Sequence, residues 1–186
     1  RITPRNAFRL YKNIWLPACQ YPLAVTSFSK QECLSIMKPF VRAILPKLGF
    51  NWHSPREIIY GSHVYGGFHF SHLYLEQGYL AVKHLLGHIR EATLVGNQIQ
   101  IALSKAQVVS GSRFPFLEEV KENRSYVPAS WLGNIRSFLA DSNGKIVVND
   151  TWVPTLQRTN GKFLMDCFCS TKPGDATLAH LNAVRL

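Results

Sequence analysis

The chain has 186 residues, of which 46% are hydrophobic and 12% aromatic against 17% charged; this balance excludes a disordered chain and suits one domain, or two small ones, with a real core. No apolar run approaches the roughly 20 residues that a membrane-spanning helix needs, and the opening residues Arg1 to Asn6 lack the apolar centre of a secretory signal. The formal net charge is +10, and residues 1–56 carry nine basic side chains against a single acid, Glu32, so +8 of the excess sits in the first third.

In chain order, Thr3-Pro4 starts a helix, with a capping hydroxyl followed by proline at the first helical position. Ala7/Phe8, Tyr11 and Ile14/Trp15 recur at helical spacing as an apolar stripe, with Phe8 and Trp15 expected in the core. Arg1, Arg5, Arg9 and Lys12 line another side, and Pro17 is expected to end or kink the helix. Ser29-Lys30-Gln31-Glu32 is a capping box that opens a second helix. Its buried stripe is expected at Cys33, Ile36/Met37, Phe40/Val41 and Ile44, with Lys38 and Arg42 on a different face. Pro39 should kink this helix, and Pro46 with Gly49 should end it. Two such helices, each basic on its open side, could form a positively charged clamp.

Glu57 to Tyr60 reads as a short β run closed by Gly61. Gly66-Gly67 marks a turn or a close backbone approach, and Phe68 to Phe70 reads as extended or loop. A third helix is predicted from Ser71 to about Arg90, with Leu75, Gly78, Val82, Leu85 and Ile89 facing inward. Thr93 caps a fourth, to about Val109, with Leu94/Val95, Ile99, Ala102/Leu103, Ala106 and Val109 inward. Residues 111–127 read as a loop with a solvated acidic cluster at Glu118, Glu119 and Glu122. Pro128 opens a fifth helix carrying Trp131/Leu132, Ile135 and Phe138/Leu139. Asn143-Gly144 is a turn before a short strand, Lys145 to Asn149, and a short helix over about residues 162–169 follows. The tail after Pro173-Gly174 is weakly specified. The fold class is thus mainly α with two short β elements. Four regions are expected: 1–56 basic and helical, 57–110 a strand plus two helices, 111–127 a loop, and 128–186 helical with a short strand.

The chemistry that this chain can carry is narrowed by what its motifs lack. Cys19, Cys33, Cys167 and Cys169 form no Cys-x-x-Cys pair, so a zinc knuckle is not supported. They read as reduced core thiols of an intracellular protein, nuclear or cytoplasmic. His84 and His88 lie four apart on one helix face, a spacing compatible with two metal ligands, but Lys83 and Arg90 flank them and no His-Glu-x-x-His pattern is present. Phosphate-loop and nucleophile-elbow patterns are absent. Asp-Asp occurs nowhere, and two-metal nucleotidyl transfer needs clustered carboxylates. What remains is the positive field of the first third, which suits a nucleic-acid backbone, an acidic membrane surface or an acidic protein partner. Asn51, His53, Ser54 and Arg56 can all donate to phosphate oxygens, or can simply satisfy the backbone of an ordinary loop.

One longer pattern is Leu45-Pro46-Lys47-Leu48-Gly49-Phe50-Asn51-Trp52-His53-Ser54-Pro55-Arg56, then Tyr60-Gly61, Tyr65-Gly66-Gly67, and His72 to Gly78. Upstream stand Leu16-Pro17, Tyr21-Pro22-Leu23, Phe28-Ser29 and Gln31-Glu32-Cys33. Downstream stand Trp131-Leu132, Ile135-Arg136, Phe138-Leu139, Trp152-Val153-Pro154, Arg158 and Leu164-Met165. In this order the pieces resemble the region that follows the polymerase palm in reverse transcriptases of eukaryotic, non-LTR-like retrotransposons. The resemblance implies a thumb-like helical bundle followed by a helical linker, gripping an RNA or DNA template–primer duplex through its phosphates. Carried over residue by residue, the grip falls on Lys38, Arg42, Lys47, Asn51, His53 and Arg56, with Arg5, Arg9 and Lys12 on the first helix.

Two departures from that pattern are Trp52, where a basic residue is expected, and Ser62, where proline is common. The Tyr/Phe-x-Asp-Asp motif of the palm is absent, so the chain, which begins without Met, is expected to be a fragment, inactive alone and without a cofactor. Mg2+ would belong to the missing palm, and the palm and fingers would be its protein partners, with no membrane. The alternatives are a helical protein-interaction module, or an inactive retroelement relic without nucleic-acid function. A His-dependent metal enzyme is the third.

Overall fold

The computed structural model describes residues 2–121, 126–149, 151–156 and 158–171. The chain divides into two compact units, Arg1–Ala81 and Val82–Leu186. Both are helical, and no strand occurs among the described residues.

The first unit opens with α1, Pro4–Leu10, where the Thr3 hydroxyl accepts from the Asn6 N–H at 3.3 Å and so satisfies one orphan donor of the first turn. Pro17 is expected to end or kink the helix; the helix does not end there, and its winding changes just before it. A π-helical turn, Tyr11–Trp15, precedes α2, Leu16–Leu23, and Pro17 occupies the first turn of α2. A proline ring collides with the carbonyl four residues back in a regular helix. The wider turn, in which the Leu16 N–H reaches Tyr11 O, makes room for it.

The second long element is α3, Lys30–Ile44, and its capping box is reciprocal. Glu32 Oε2 accepts from the Ser29 N–H at 2.7 Å while the Ser29 hydroxyl accepts from the Glu32 N–H at 3.3 Å. These bonds from the Ser29 backbone and hydroxyl hold the Glu32 carboxyl below its usual range. α3 buries Cys33, Met37, Val41 and Ile44, whereas Ile36 is exposed and Phe40 half-buried. Pro39 sits inside α3 without ending it. The donor that it lacks would have served the Ser35 carbonyl, and Ser35 is exposed, so water can take that place. A 3-10 turn, Leu45–Leu48, closes the helix on Gly49, whose φ of +88° is the left-handed cap that glycine adopts without strain.

An aromatic cluster joins these elements. Tyr11 is buried, stacks on Phe40 at 5.5 Å and lies 4.4 Å from Phe70, while Trp15 stacks flat on Phe40 at 3.9 Å. The Tyr11 hydroxyl accepts from the Ser71 N–H at 2.7 Å, and burial pushes its phenol above the ordinary value. Of the residues expected in this core, Phe8 and Ile14 are exposed and Trp15 is half-buried.

The run Glu57 to Tyr60 lies within α4, Arg56–Tyr60, and is not a strand. Pro55 stands at the helix entrance and accepts from the N–H groups of Ile58 and Ile59, which outweighs the β preference of two adjacent isoleucines. One face of α4 buries Ile59 and leaves Ile58 outside. Its carbonyls, and that of Gly61, accept from the 68–70 segment, a loop in which His69 has φ +51°: Phe68 N to Ile58 O at 2.9 Å, Phe70 N to Ile59 O at 3.0 Å, His69 N to Gly61 O at 2.8 Å. Gly66-Gly67 is the close approach expected: Gly66 has φ +77°, and a side chain on Gly67 would run into the Gly61 backbone.

The long helix α5, Leu73–Arg90, begins at His72, whose Nδ1 accepts from the Tyr74 N–H at 3.2 Å. It buries Leu73, Tyr74, Gln77, Gly78, Ala81 and Leu85; of the inward stripe expected, Gly78 and Leu85 are buried, Val82 and Ile89 half-buried, and Leu75 exposed. The buried face widens toward Gln77. The Gln77 amide pairs with both backbone groups of Phe28, at 3.0 and 2.8 Å, and a polar residue satisfied in this way counts as core.

In the second unit, α6, Leu94–Ser110, is capped by Thr93, whose hydroxyl accepts from the Gly96 N–H at 3.0 Å. It buries Gly96, Ile99, Leu103, Gln107 and Ser110, whereas Leu94, Val95 and Ala102 are exposed. α7, Trp131–Asp141, is capped by Ser130 rather than opened by Pro128. It packs on α6. Gln107 holds the following loop by donating to the carbonyls of Ser112 and Phe114, at 2.6 and 2.9 Å.

The expected strand from Lys145 to Asn149 is a loop that ends in a turn at Asn149; Ile146 N donates to Leu117 O at 3.0 Å and its side chain is buried. Glu118 of the acidic cluster ion-pairs with Lys145 at 3.7 Å, and Glu122 lies outside the described residues. The last helix is α8, Leu164–Thr171, where Met165 is buried, Cys167 is exposed rather than core, and Asp166 meets Arg113 at 3.5 Å. The tail after Pro173-Gly174 and the side chain of Cys169 lie outside the described residues.

Candidate nucleic-acid interface

The nine residues expected to grip phosphate all lie in the first unit and all are exposed. Arg5 and Arg9, one turn apart on α1, and Lys12 after them stand away from the buried side of that segment, which carries Ala7 and Tyr11. Lys38 and Arg42 are likewise one turn apart on α3, beside a buried face of Met37 and Val41. The core therefore fixes where these cations point. α1 packs against the Leu45–Leu48 turn, so the turn that carries Lys47 lies against the helix that carries Arg5 and Arg9.

The connector after Gly49 is a structured loop. Phe50 N donates to Leu45 O at 2.9 Å, Asn51 Oδ1 accepts from His53 N at 3.0 Å, and Ser54 N donates to Asn51 O at 3.0 Å. Arg56 Nη2 reaches the Trp52 carbonyl at 3.4 Å. The Asn51 side-chain oxygen is committed to the loop, which leaves its NH2 group as the donor. The Arg42 guanidinium carbon lies 5.3 Å from the centre of the Trp52 ring, and the His53 ring lies 3.6 Å from it. The fold thus gathers Arg42, Asn51, Trp52, His53 and Arg56 into one cluster. No hydrogen bond or ring contact ties Arg5, Arg9 or Lys12 to it.

No family model, curated protein or solved structure matches the chain. Among the described residues the salt bridges join Arg113 to Asp166 and Lys145 to Glu118, both in the second unit, and none engages the seven cations of the interface. Of the three acids of the first unit, Glu32 caps α3, Glu76 accepts from Gln20 Nε2 at 2.8 Å, and Glu57, which follows Arg56 on α4, is exposed.

Other constellations are structural. His84 and His88 sit 4.3 Å apart, but His88 Nδ1 shares a hydrogen bond with the Thr93 hydroxyl at 2.8 Å and His84 meets the edge of Trp131 at 6.0 Å. Burial, then the neighbouring His88, lowers the affinity of His84 for a proton. No group of three or more metal-ligating side chains occurs among the described residues. A cavity of about 430 Å³ in the second unit is lined in part by Arg136, but that buried guanidinium donates to the Glu119 carbonyl at 2.5 Å and lies 5.1 Å from the Phe116 ring. No helix among the described residues is long and apolar enough to cross a membrane.

The residue that sequence reasoning passed over is Trp52. In the sequence it reads as a departure from a basic position, and its neighbourhood depends on α3 returning Arg42 to the loop. An aromatic between Asn51 and His53 was the available signal.

Proposed function

We propose that the first unit grips the phosphate backbone of an RNA or DNA template–primer duplex, as the thumb and linker portion of a retrotransposon RNA-directed DNA polymerase whose catalytic aspartates lie elsewhere in that polymerase. The observation that carries this reading is one set of seven exposed cations, Arg5, Arg9, Lys12, Lys38, Arg42, Lys47 and Arg56, which no acid of the unit neutralises. An ordinary solvated surface intersperses both signs. Here the cations stand on helices fixed by a common core, which suits contacts that position a duplex and read no base. Asn51 and His53 add uncharged donors from the loop. The chain contains no Asp-Asp pair, so in this reading it holds nucleic acid and transfers no nucleotide.

The test is duplex binding followed by fluorescence anisotropy across a salt series. Phosphate contacts release counterions, so log affinity should fall linearly with log salt, with a slope of about −3 to −6 for half to all seven cations engaged. Charge reversal at Arg5, Arg9, Lys38 and Arg42 together should remove most of the affinity and flatten the slope. Weak duplex binding even at low salt overturns the reading.

A further inference from the structure

We propose that Trp52 is a stacking platform for an unpaired nucleobase, so that the ligand of the first unit includes a single-stranded stretch. This rests on the nucleic-acid reading above and adds a ligand class to it. A duplex backbone presents phosphates and sugars while its bases are shielded by pairing and stacking, so a phosphate grip has little use for an indole. Yet Trp52 is 43% exposed in the middle of the cation cluster. Its loop is held by the bonds of Asn51, Ser54 and Arg56, which lowers the entropy lost when a ligand settles on it. Arg42 lies 5.3 Å from the ring on α3, and the His53 ring lies beside it at 3.6 Å. Cationic and aromatic side chains arranged in this way match a base through its π face and the flanking phosphates through Arg42, Arg56 and Lys38. Any base offers such a face, so the platform tolerates all sequences.

The experiment titrates the 186-residue chain with oligothymidylate, with an abasic oligodeoxyribonucleotide of the same length, and with a blunt duplex, all at one ionic strength. Both single strands carry the same phosphates and differ only in their bases. Wild-type protein should prefer oligothymidylate over the abasic strand by roughly tenfold, the contribution of one stacked base. Trp52→Leu should lose that preference, weakening oligothymidylate several-fold more than duplex or abasic strand, and Trp52→Phe, which keeps an aromatic face, should retain most of it. If Trp52→Leu weakens all three ligands equally, the indole only props Arg42 and the inference is overturned. Wild-type protein that binds duplex yet treats the two single strands alike overturns this inference alone. Wild-type protein that binds none of the three overturns the backbone grip, and this inference with it.

Discussion

Gly87 and Gly96 stand in consecutive helices of the second unit, and replacing each by alanine should move stability in opposite directions. Glycine costs a helix interior about 0.5–1 kcal/mol relative to alanine, because its unfolded backbone has more freedom to lose. A methyl group added at Gly87, in the last turns of α5, meets nothing within 4 Å, so Gly87→Ala should stabilise by about that amount. At Gly96, in the first turn of α6, the same methyl meets the backbone carbonyl of His88. This approach is held in place. Thr93 N donates to His88 O at 3.3 Å, and the Thr93 hydroxyl accepts from Gly96 N at 3.0 Å. A backbone carbonyl cannot rotate aside as a side chain can, so the corner between the helices must open. Overpacking of this kind costs about 1–3 kcal/mol, which outweighs the propensity gain and leaves a net loss of about 1–2 kcal/mol. Urea midpoints and thermal melts followed by circular dichroism measure both; at this chain length 1 kcal/mol is about 2–4 °C in Tm. If Gly96→Ala raises Tm as Gly87→Ala does, the close approach of Gly96 to the His88 carbonyl is wrong.

Four further outcomes are expected from the first unit and the core. Tyr11→Phe keeps the aromatic cluster but removes the acceptor of the half-buried Ser71 N–H, and should cost about 1–2 kcal/mol in the urea midpoint; an unchanged midpoint would show that water replaces the hydroxyl. Burial raises the Tyr11 and Tyr60 phenols above the ordinary 10.0, so the unfolded chain loses these protons first; stability should be intact below pH 10.0 and decline as pH rises from there through the folded values, and a flat alkaline profile contradicts this. His72 is lowered from 6.5 by burial first and by Lys30 second, so its neutral form stabilises the fold above pH 6.5 and that stability is lost as pH falls through the folded value. His72→Asn, which keeps an acceptor for the Tyr74 N–H, should flatten part of the acid decline; an identical pH profile would exclude His72 as its source. Leu85→Ala empties a fully buried site in α5 and should cost about 2–5 kcal/mol; a loss below the low end would mean that the site collapses around the gap.

Helix starts were the most legible part of this fold. Thr3, Ser29 and Thr93 each cap the helix that they open, because a hydroxyl at that position satisfies a donor of the first turn whatever the rest of the chain does. Stripes were less legible. In α6, Ile99 and Leu103 face inward as their spacing indicates, but Leu94 is 76% exposed and Gln107 is fully buried. The reason is that burial is decided by which face finds a partner, and Gln107 found two carbonyls that a hydropathy pattern cannot see. The consequences of the prolines also depend on the fold. Pro17 and Pro39 break rules of the isolated helix, yet one is absorbed by a widened turn and the other faces water.

The sequence by itself determined the helical class, the caps, the glycine turns and the concentration of positive charge in the first third. Each is set by a residue's own chemistry or by neighbours within a few positions, so each survives without knowledge of the fold. Tertiary structure alone decided where Ile58 and Ile59 send their carbonyls, to a segment about ten residues further on, and so which face of the 57–60 turn is buried. It alone decided that Trp52 joins Arg42 and His53, because Arg42 and Trp52 meet only once α3 has ended and the chain has turned back at Gly49.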